Sequence, residues 1–420
     1  MKSDRIIRTK GEAFHGWFVL VGAMLITFIV GGTFVNTFGV LLPVISHEFG
    51  WSRATVSMAL SLGMIAFGVP SPLYGFLNNR LGPRFSIILG NLLAALGIAA
   101  IYLVQEIWHI YLLYIFIGIV SGLGGYIATS TVVNNWFVKK RSLAMGILTA
   151  SAGMGGLVYP PVVTALIRAI GWRESWLVLA AMVVISAVVA GVVLVRNKPE
   201  DMGQVPDGIR TEPVIEREKP ALRTGDEPAA WKMTQLLKGP TIWLILAFVV
   251  ANALTMGTMM THQIAYLQDI GFNPMTAATT MSLMSIFSLL GSLAFGTLAL
   301  RINIRYLASA GFLCQVVSII ILLTTRNLGL IFVYAILMGI SSGALFTAMP
   351  TFVGNYYPRE RYTQVTSMIL PFHVSAQAVA AAAVGAVYDI TGEYILAFYI
   401  LSAFTLIGLV CAFSARPPKS

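Results

Sequence analysis

The chain reads as an all-α integral membrane protein, with twelve transmembrane helices in two six-helix bundles related as a parallel pseudo-twofold repeat. Three observations predict this. Of 420 residues, 57% are hydrophobic and only 10% charged, against about a quarter charged in an average soluble domain. The charges are clustered, so that twelve long stretches contain no Asp, Glu, Lys or Arg. A single spacing of 221 residues aligns the second half of the chain with the first.

The charge-free stretches run 13–47, 54–79, 85–105, 107–138, 142–167, 175–195, 239–268, 270–300, 306–325, 327–358, 362–388 and 394–415. Each has at least 20 residues, about the number a helix needs to cross a hydrocarbon core of about 30 Å. Membrane β-barrels instead show alternating segments of about 10 residues. A soluble protein with twelve buried helices of this length would have no solvated faces left.

In chain order, the first stretch follows the basic MKSDRIIRTK, as a signal peptide would. It is too long for a signal core and shows no small-residue cleavage pattern, so it reads as a retained helix. The second closes on GFLNNRLGPR at 75–84, the fourth on WFVKKR at 136–141, and the fifth leads into GWRESW at 171–176. After the sixth comes 197–238, with eight acidic residues, several Pro and Gly and no long apolar run. That composition predicts a solvated, partly disordered linker. The expected organisation is a cytoplasmic tail at 1–15, a bundle at 16–196, the linker at 197–238, a second bundle at 239–415 and a tail at 416–420. Cys314 and Cys411 fall inside helical stretches and imply no disulfide framework.

The net charge of +10 could suggest nucleic acid. Its placement speaks against that. With the N-terminus in the cytoplasm, 23 Lys and Arg fall on the cytoplasmic side and four, Arg53, Arg168, Arg173 and Arg326, on the other. This positive-inside bias predicts that both termini are cytoplasmic.

The 221-residue offset pairs Gly75, Leu77, Arg80 and Arg84 with Gly296, Leu298, Arg301 and Arg305. It also pairs Gly50 with Gly271, Thr55 with Thr276, and Gly118, Ser121 and Gly122 with Gly339, Ser342 and Gly343. An offset of 220 pairs Asn135, Lys139 and Arg141 with Asn355, Arg359 and Arg361. Six crossings per half give both copies the same sidedness, a parallel repeat whose substrate site lies between the halves near the midplane.

GFLNNRLGPR resembles the G-x-x-x-D-R-x-G-R-R loop of the major facilitator superfamily, matching at Gly75, Arg80, Gly82 and Arg84. Asn79 stands at the acidic position, keeping hydrogen bonding without the Coulomb term. The resemblance implies a cytoplasmic gate formed by Gly75, Asn79, Arg80, Gly82, Arg84, Arg301 and Arg305. The segments GWFVLVGAMLITFIVGGTF, EFGWSR, WFVKKRSLAMGI, GWRESW and KPEDMGQVPDG are similar to the bacterial monocarboxylate and oxalate/formate branch. That likeness implies an organic-acid substrate and a bacterial inner membrane. Where the resemblance implies the acidic/Arg pair that animal-type members carry in helix 8, this chain has Ser288 and Ser292. Near the helix 11 position where oxalate exchangers carry a Lys, it has His373 and Gln377 and no Lys.

No carboxylate lies within the charge-free stretches to relay protons, so coupling to protons falls to His262 and His373. His262 precedes Asp269 by seven residues, about 10 Å below the outer end. Gln263 and Tyr266 are adjacent to it. The plainer reading is a histidine bonded across a helix interface. His373 lies near mid-helix after Pro371, and there the plainer reading is a bond to the carbonyl that the proline frees. Asn36, Tyr126, Asn252, Tyr334 and Gln377 are further polar candidates, since the resemblance implies a cavity lined by helices 1, 4, 7 and 10. Interhelical hydrogen bonding accounts for each equally well.

Together these readings predict a secondary transporter working by alternating access, with a monocarboxylate as substrate. It is expected to act as a monomer in a lipid bilayer, with no cofactor or metal and no nucleic-acid partner. A nucleophile–base pair, metal-ligand cluster or intramembrane carboxylates, which an enzyme would need, are missing from the sequence. Two alternatives stand beside this reading: a facilitator or exporter of neutral or hydrophobic molecules, and a non-transporting sensor or assembly protein.

Overall fold

The computed structural model describes residues 6–8, 14–211 and 239–418. The rest of the expected tails and linker, residues 1–5, 9–13, 212–238 and 419–420, lies outside the described residues. Among the described residues, eleven helices are long and apolar enough to cross a membrane, and one bent pair completes a twelfth span. They are α1 (Gly16–Phe49), α2 (Arg53–Gly68 and Ser71–Leu81, with a 50° bend between), α3 (Pro83–Leu103), α4 (Ile107–Trp136), α5 (Arg141–Ile170) and α6 (Trp172–Leu194). The second set is α7 (Pro240–Asp269), α8 (Pro274–Leu298), α9 (Ile304–Thr324), α10 (Leu328–Tyr356), α11 (Arg359–Thr391) and α12 (Ile395–Ser414).

The repeat extends to how the helices begin. The Ser52 hydroxyl accepts the Thr55 N–H at 3.1 Å to cap α2, and Asn273 accepts the Thr276 N–H at 2.8 Å to cap α8. Ser52 and Asn273 are 221 residues apart, and each occupies the position where a short polar side chain satisfies an orphan donor. Gly50 and Gly271, also paired, both take a left-handed conformation, φ 68° and 98°, that glycine adopts without strain.

Both chain ends and the linker meet on one face, here the terminal face. Ile6–Arg8 pairs antiparallel with Ile209–Thr211 as β1 and β2, and the Thr241 hydroxyl donates to the Arg416 carbonyl. The first part of the expected solvated linker is folded against this face. Asp207 accepts the backbone N–H groups of Val138, Lys139 and Lys140 at 3.0, 2.7 and 3.1 Å. A carboxylate is favoured there by the positive start of α5.

Every hydrogen bond joining the two halves, among the described residues, lies at or just beneath the terminal face. Ser71 donates to the Ser367 carbonyl at 2.8 Å, Thr131 pairs with Thr363 at 3.0 Å, and Thr149 pairs with Thr347 at 2.6 Å. Arg141, 7% exposed, donates to the carbonyl of Gly354 and to Asn355 of α10. A side chain at Gly354 would collide with the guanidinium stem. Arg359 grips Glu200 in a bidentate ion pair at 2.7 and 3.0 Å. That hydrogen bond holds the Glu200 carboxyl below the usual carboxylate range. These hydrogen bonds thus seal the interface between the halves at the terminal face.

The halves differ in regularity. In the first, α1 carries a π-helical turn at Gly32–Asn36, α2 bends after Gly68, α4 breaks at Gly125, and α6 ends in a π-helical segment from Ala187. Helices α7, α8, α10 and α11 run unbroken. The breaks are satisfied by side chains. Tyr159 donates to the Ile29 carbonyl at the turn in α1. Asn78 and Asn91 donate to the Leu123 and Gly124 carbonyls at the break in α4. Backbone left unpaired in a membrane costs several kcal/mol per group, so such partners are required.

Candidate functional site

Between the halves, above the seal, lies a cavity with two lobes that share Ala152, Phe346, His373 and Gln377. The larger lobe, about 250 Å³, is walled by Val30, Gly31, Phe34, Met64, Phe67 and Tyr126 among others. The smaller, about 180 Å³, is walled by Thr149, Gly153, Met256, Ser288, Ser292 and Ser342. The first-half irregularities build the larger lobe. Gly31 and Phe34 sit at the π-helical turn of α1, Phe67 just before the bend of α2, and Tyr126 just after the break of α4. Irregular backbone at membrane depth is tolerated where it lines a cavity, and π-helical turns recur at functional sites.

His373 borders both lobes and is 8% exposed. Its Nδ1 has no hydrogen-bond partner. An unpartnered imidazole nitrogen can accept when the ring is neutral with its proton on the other nitrogen, and donates when the ring is charged. The ring of Phe346 lies 6.2 Å from it and 5.9 Å from the ring of Tyr126, tilted against both. The hydroxyls of Ser121, Tyr126 and Ser342 are buried and likewise unpartnered. No Asp, Glu, Lys or Arg lines either lobe. Four buried polar atoms without a partner, on Ser121, Tyr126, Ser342 and His373, thus belong to residues that line this cavity.

Of the residues singled out in the sequence, the structure brings Tyr126, Ser288, Ser292, His373 and Gln377 together at this cavity. The others are elsewhere. Asn36 lies in the π-helical turn of α1 against Gly155 and Gly156 of α5. Asn252 faces Gln315 of α9 at 3.5 Å. His262 bonds through Nε2 to the Ala381 carbonyl of α11 at 2.8 Å, its ring against Tyr394. Gln263 donates to Thr280 at 2.9 Å and accepts from the Tyr334 hydroxyl at 2.8 Å, while the Tyr266 hydroxyl donates to the Leu322 carbonyl at 3.3 Å. These five groups in the second bundle satisfy one another or neighbouring backbone. Phe34, Ser121, Ser342 and Phe346 reach the cavity without having been singled out. The repeat pairing of Ser121 with Ser342 was the one signal that could have found them.

At the loops expected to gate, Gly75 packs against Ser367 of the other half. Asn79 is exposed and Arg80 lies over Phe76. Gly82 takes φ 84° beside Asn197. Arg84 donates to the Gly191 and Val192 carbonyls of α6, and Arg305 donates to the Phe413 carbonyl of α12, each within its own half. Arg301 is exposed.

Comparison with known proteins decides the family. The sequence model of the Major Facilitator Superfamily matches residues 23–325 and 262–420. The chain belongs to the Major Facilitator Superfamily. It is a membrane transporter of small organic solutes. Monocarboxylate transporter 13 of Rattus norvegicus is 27% identical over 94% of this chain and 87% of its own length. Monocarboxylate transporter 12 of Xenopus laevis is 22% identical over 95% of this chain and 88% of its own. Two structures share the fold. The E. coli fucose:proton symporter FucP covers 95% of this chain and 99% of its own, with a TM-score of 0.71 and 14% identity. A superfamily transporter structure of FucP in the outward conformation has the same coverage, a TM-score of 0.74 and 13% identity.

Proposed function

We propose that this protein carries monocarboxylates across the membrane together with protons, with His373 binding both. The observation that carries the reading is the unpartnered Nδ1 of His373 at the junction of two lobes that hold no charged residue. A bare carboxylate entering such a cavity loses its hydration without compensation. Protonated His373 supplies the missing cation, and acid and proton then cross as a neutral pair. Tyr126 is the other titratable group facing this space. The names of the curated relatives support the substrate class, and each chain holds a whole cavity, which supports action as a monomer rather than as an enzyme or scaffold. With both termini cytoplasmic, as the 23-to-4 charge bias favours, the described state is outward-facing, sealed on the cytoplasmic side.

The test is uptake of labelled pyruvate into proteoliposomes with and without an inward acid gradient, protein-free vesicles subtracting weak-acid leak. Saturable uptake stimulated by the gradient, reduced at least tenfold in His373→Ala and retained in His262→Ala, is the expected result. Wild-type stimulation in His373→Ala overturns the role of that residue. The uncharged lining favours a second reading, facilitated passage of a neutral solute, which predicts no response to the gradient.

A further inference from the structure

We infer that the substrate is an aryl monocarboxylate, bound with its carboxylate in the serine-lined lobe and its ring in the aromatic lobe. The inference rests on the monocarboxylate reading above and narrows it. The two lobes differ in what their walls can offer. In the smaller one, Thr149 is committed to Thr347 and Ser292 donates to the Gly343 carbonyl at 3.0 Å. The Ser342 hydroxyl is buried without a partner, and the Ser288 hydroxyl and the Gln377 amide border the same space. With His373 these are four donors around one small volume, matching the acceptor sites of a carboxylate.

The larger lobe offers rings. Phe34 and Phe67 lie 6.3 Å apart on one side, and Tyr126 and Phe346 lie 5.9 Å apart on the other. Val30 and Met64 complete walls with no charged group. Aromatic walls at these spacings suit an aromatic guest in edge-to-face or offset contact. The free hydroxyls of Ser121 and Tyr126 leave room for a polar substituent on that ring. A three-carbon acid held in the serine lobe would leave this larger lobe vacant, whereas binding sites of this kind bury most of their ligand's surface. The shared wall at Phe346, His373 and Gln377 joins headgroup and ring sites into one continuous space.

Two glycines allow each lobe to be filled separately. A Cβ on Gly31 would meet nothing within 4 Å, and one on Gly153 would meet only Leu289 at 3.9 Å. The experiment compares labelled phenylpyruvate with pyruvate, which share a headgroup and differ by the ring, in proteoliposomes of the full chain under an inward acid gradient. The expected wild-type result is a kcat/KM for phenylpyruvate at least tenfold above that for pyruvate. Gly31→Phe should lower the phenylpyruvate-to-pyruvate ratio at least tenfold, whereas Gly153→Val should lower both acids together. A wild-type preference for pyruvate, or none, overturns the inference and leaves the monocarboxylate reading standing. A ratio that Gly31→Phe does not move overturns the placement of the ring. Saturable transport of neither acid overturns the monocarboxylate reading and this inference with it. The wild-type ratio needs no variant to fold.

Discussion

Helices α4 and α10 are repeat mates, yet one is broken and the other is not. From Gly122 to Asn135 the first half has one residue more than the second has from Gly343 to Asn355, which is why the offset falls from 221 to 220. The break at Gly125 lies inside that interval, while α10 runs straight through its counterpart. The caps follow the break. Asn78 and Asn91 donate to carbonyls that α4 leaves free, and their mates at the 221-residue offset are Ala299 and Phe312. A one-residue difference has thus been absorbed as a cavity wall in one half, while the other half keeps a regular helix whose Ser342 faces the same space.

The sharpest way to break this comparison is to delete Gly125, restoring the length of α10. The variant should reach the membrane but lose transport by more than tenfold, as Tyr126 rotates away from Phe346; unchanged uptake would show that the break is incidental. Next comes the seal. Arg141 reaches across to α10, but its mate Arg361 bonds Gln364 on its own helix at 2.7 Å. Hydrogen bonds to a charged donor are worth about 1.5–3 kcal/mol, so Arg141→Gln should shift the resting population toward the opposite conformation about tenfold. Accessibility of single cysteines on the two faces would report this, and Arg361→Gln should leave it nearly unmoved. Asn91→Leu should cost about 1–3 kcal/mol of stability by orphaning the Gly124 carbonyl, read as a lower unfolding midpoint in detergent. An unaltered midpoint would mean that water replaces the amide.

The smallest effect concerns Glu200. Its carboxyl is held below the ordinary range by Arg359, so the stability it contributes is present at and above the ordinary carboxylate pKa. That stability is lost only as pH falls through the lowered folded value. Between pH 7.5 and 5.5 the pair is therefore constant. An exposed pair is worth about 0–1 kcal/mol, so Glu200→Gln should change uptake less than about threefold and leave the pH profile's shape intact. A changed profile would make the linker, rather than His373, the pH-sensitive element.

The fold was legible in the sequence because a bilayer demands long charge-free runs and punishes anything else. The bend of α2 was not, although Pro70 and Pro72 flank Ser71 there. Depth could be counted from the nearest charge, which placed His373 near mid-membrane. Rotation could not. A helix apolar on every side, such as α10, has no polar stripe to say which face meets the cavity. For that reason Tyr334 and Asn252 looked equal to Tyr126 and Gln377 in the sequence, although they face their own bundle. The folded stretch at 199–208 was hidden for a different cause. Its composition is that of a solvated linker, and its anchorage shows only in the fold, where Asp207 is seated on the start of α5 and Glu200 on Arg359.

The contact from Arg141 to Gly354 ends on a main-chain carbonyl rather than on an acid. An ion atmosphere weakens attraction between exposed charges over about 8 Å at physiological ionic strength, but it reaches a buried charge–dipole contact far less. This backbone-keyed part of the closure is therefore far less sensitive to ionic strength than the exposed Arg359–Glu200 pair beside it. It also requires that residue 354 stay small.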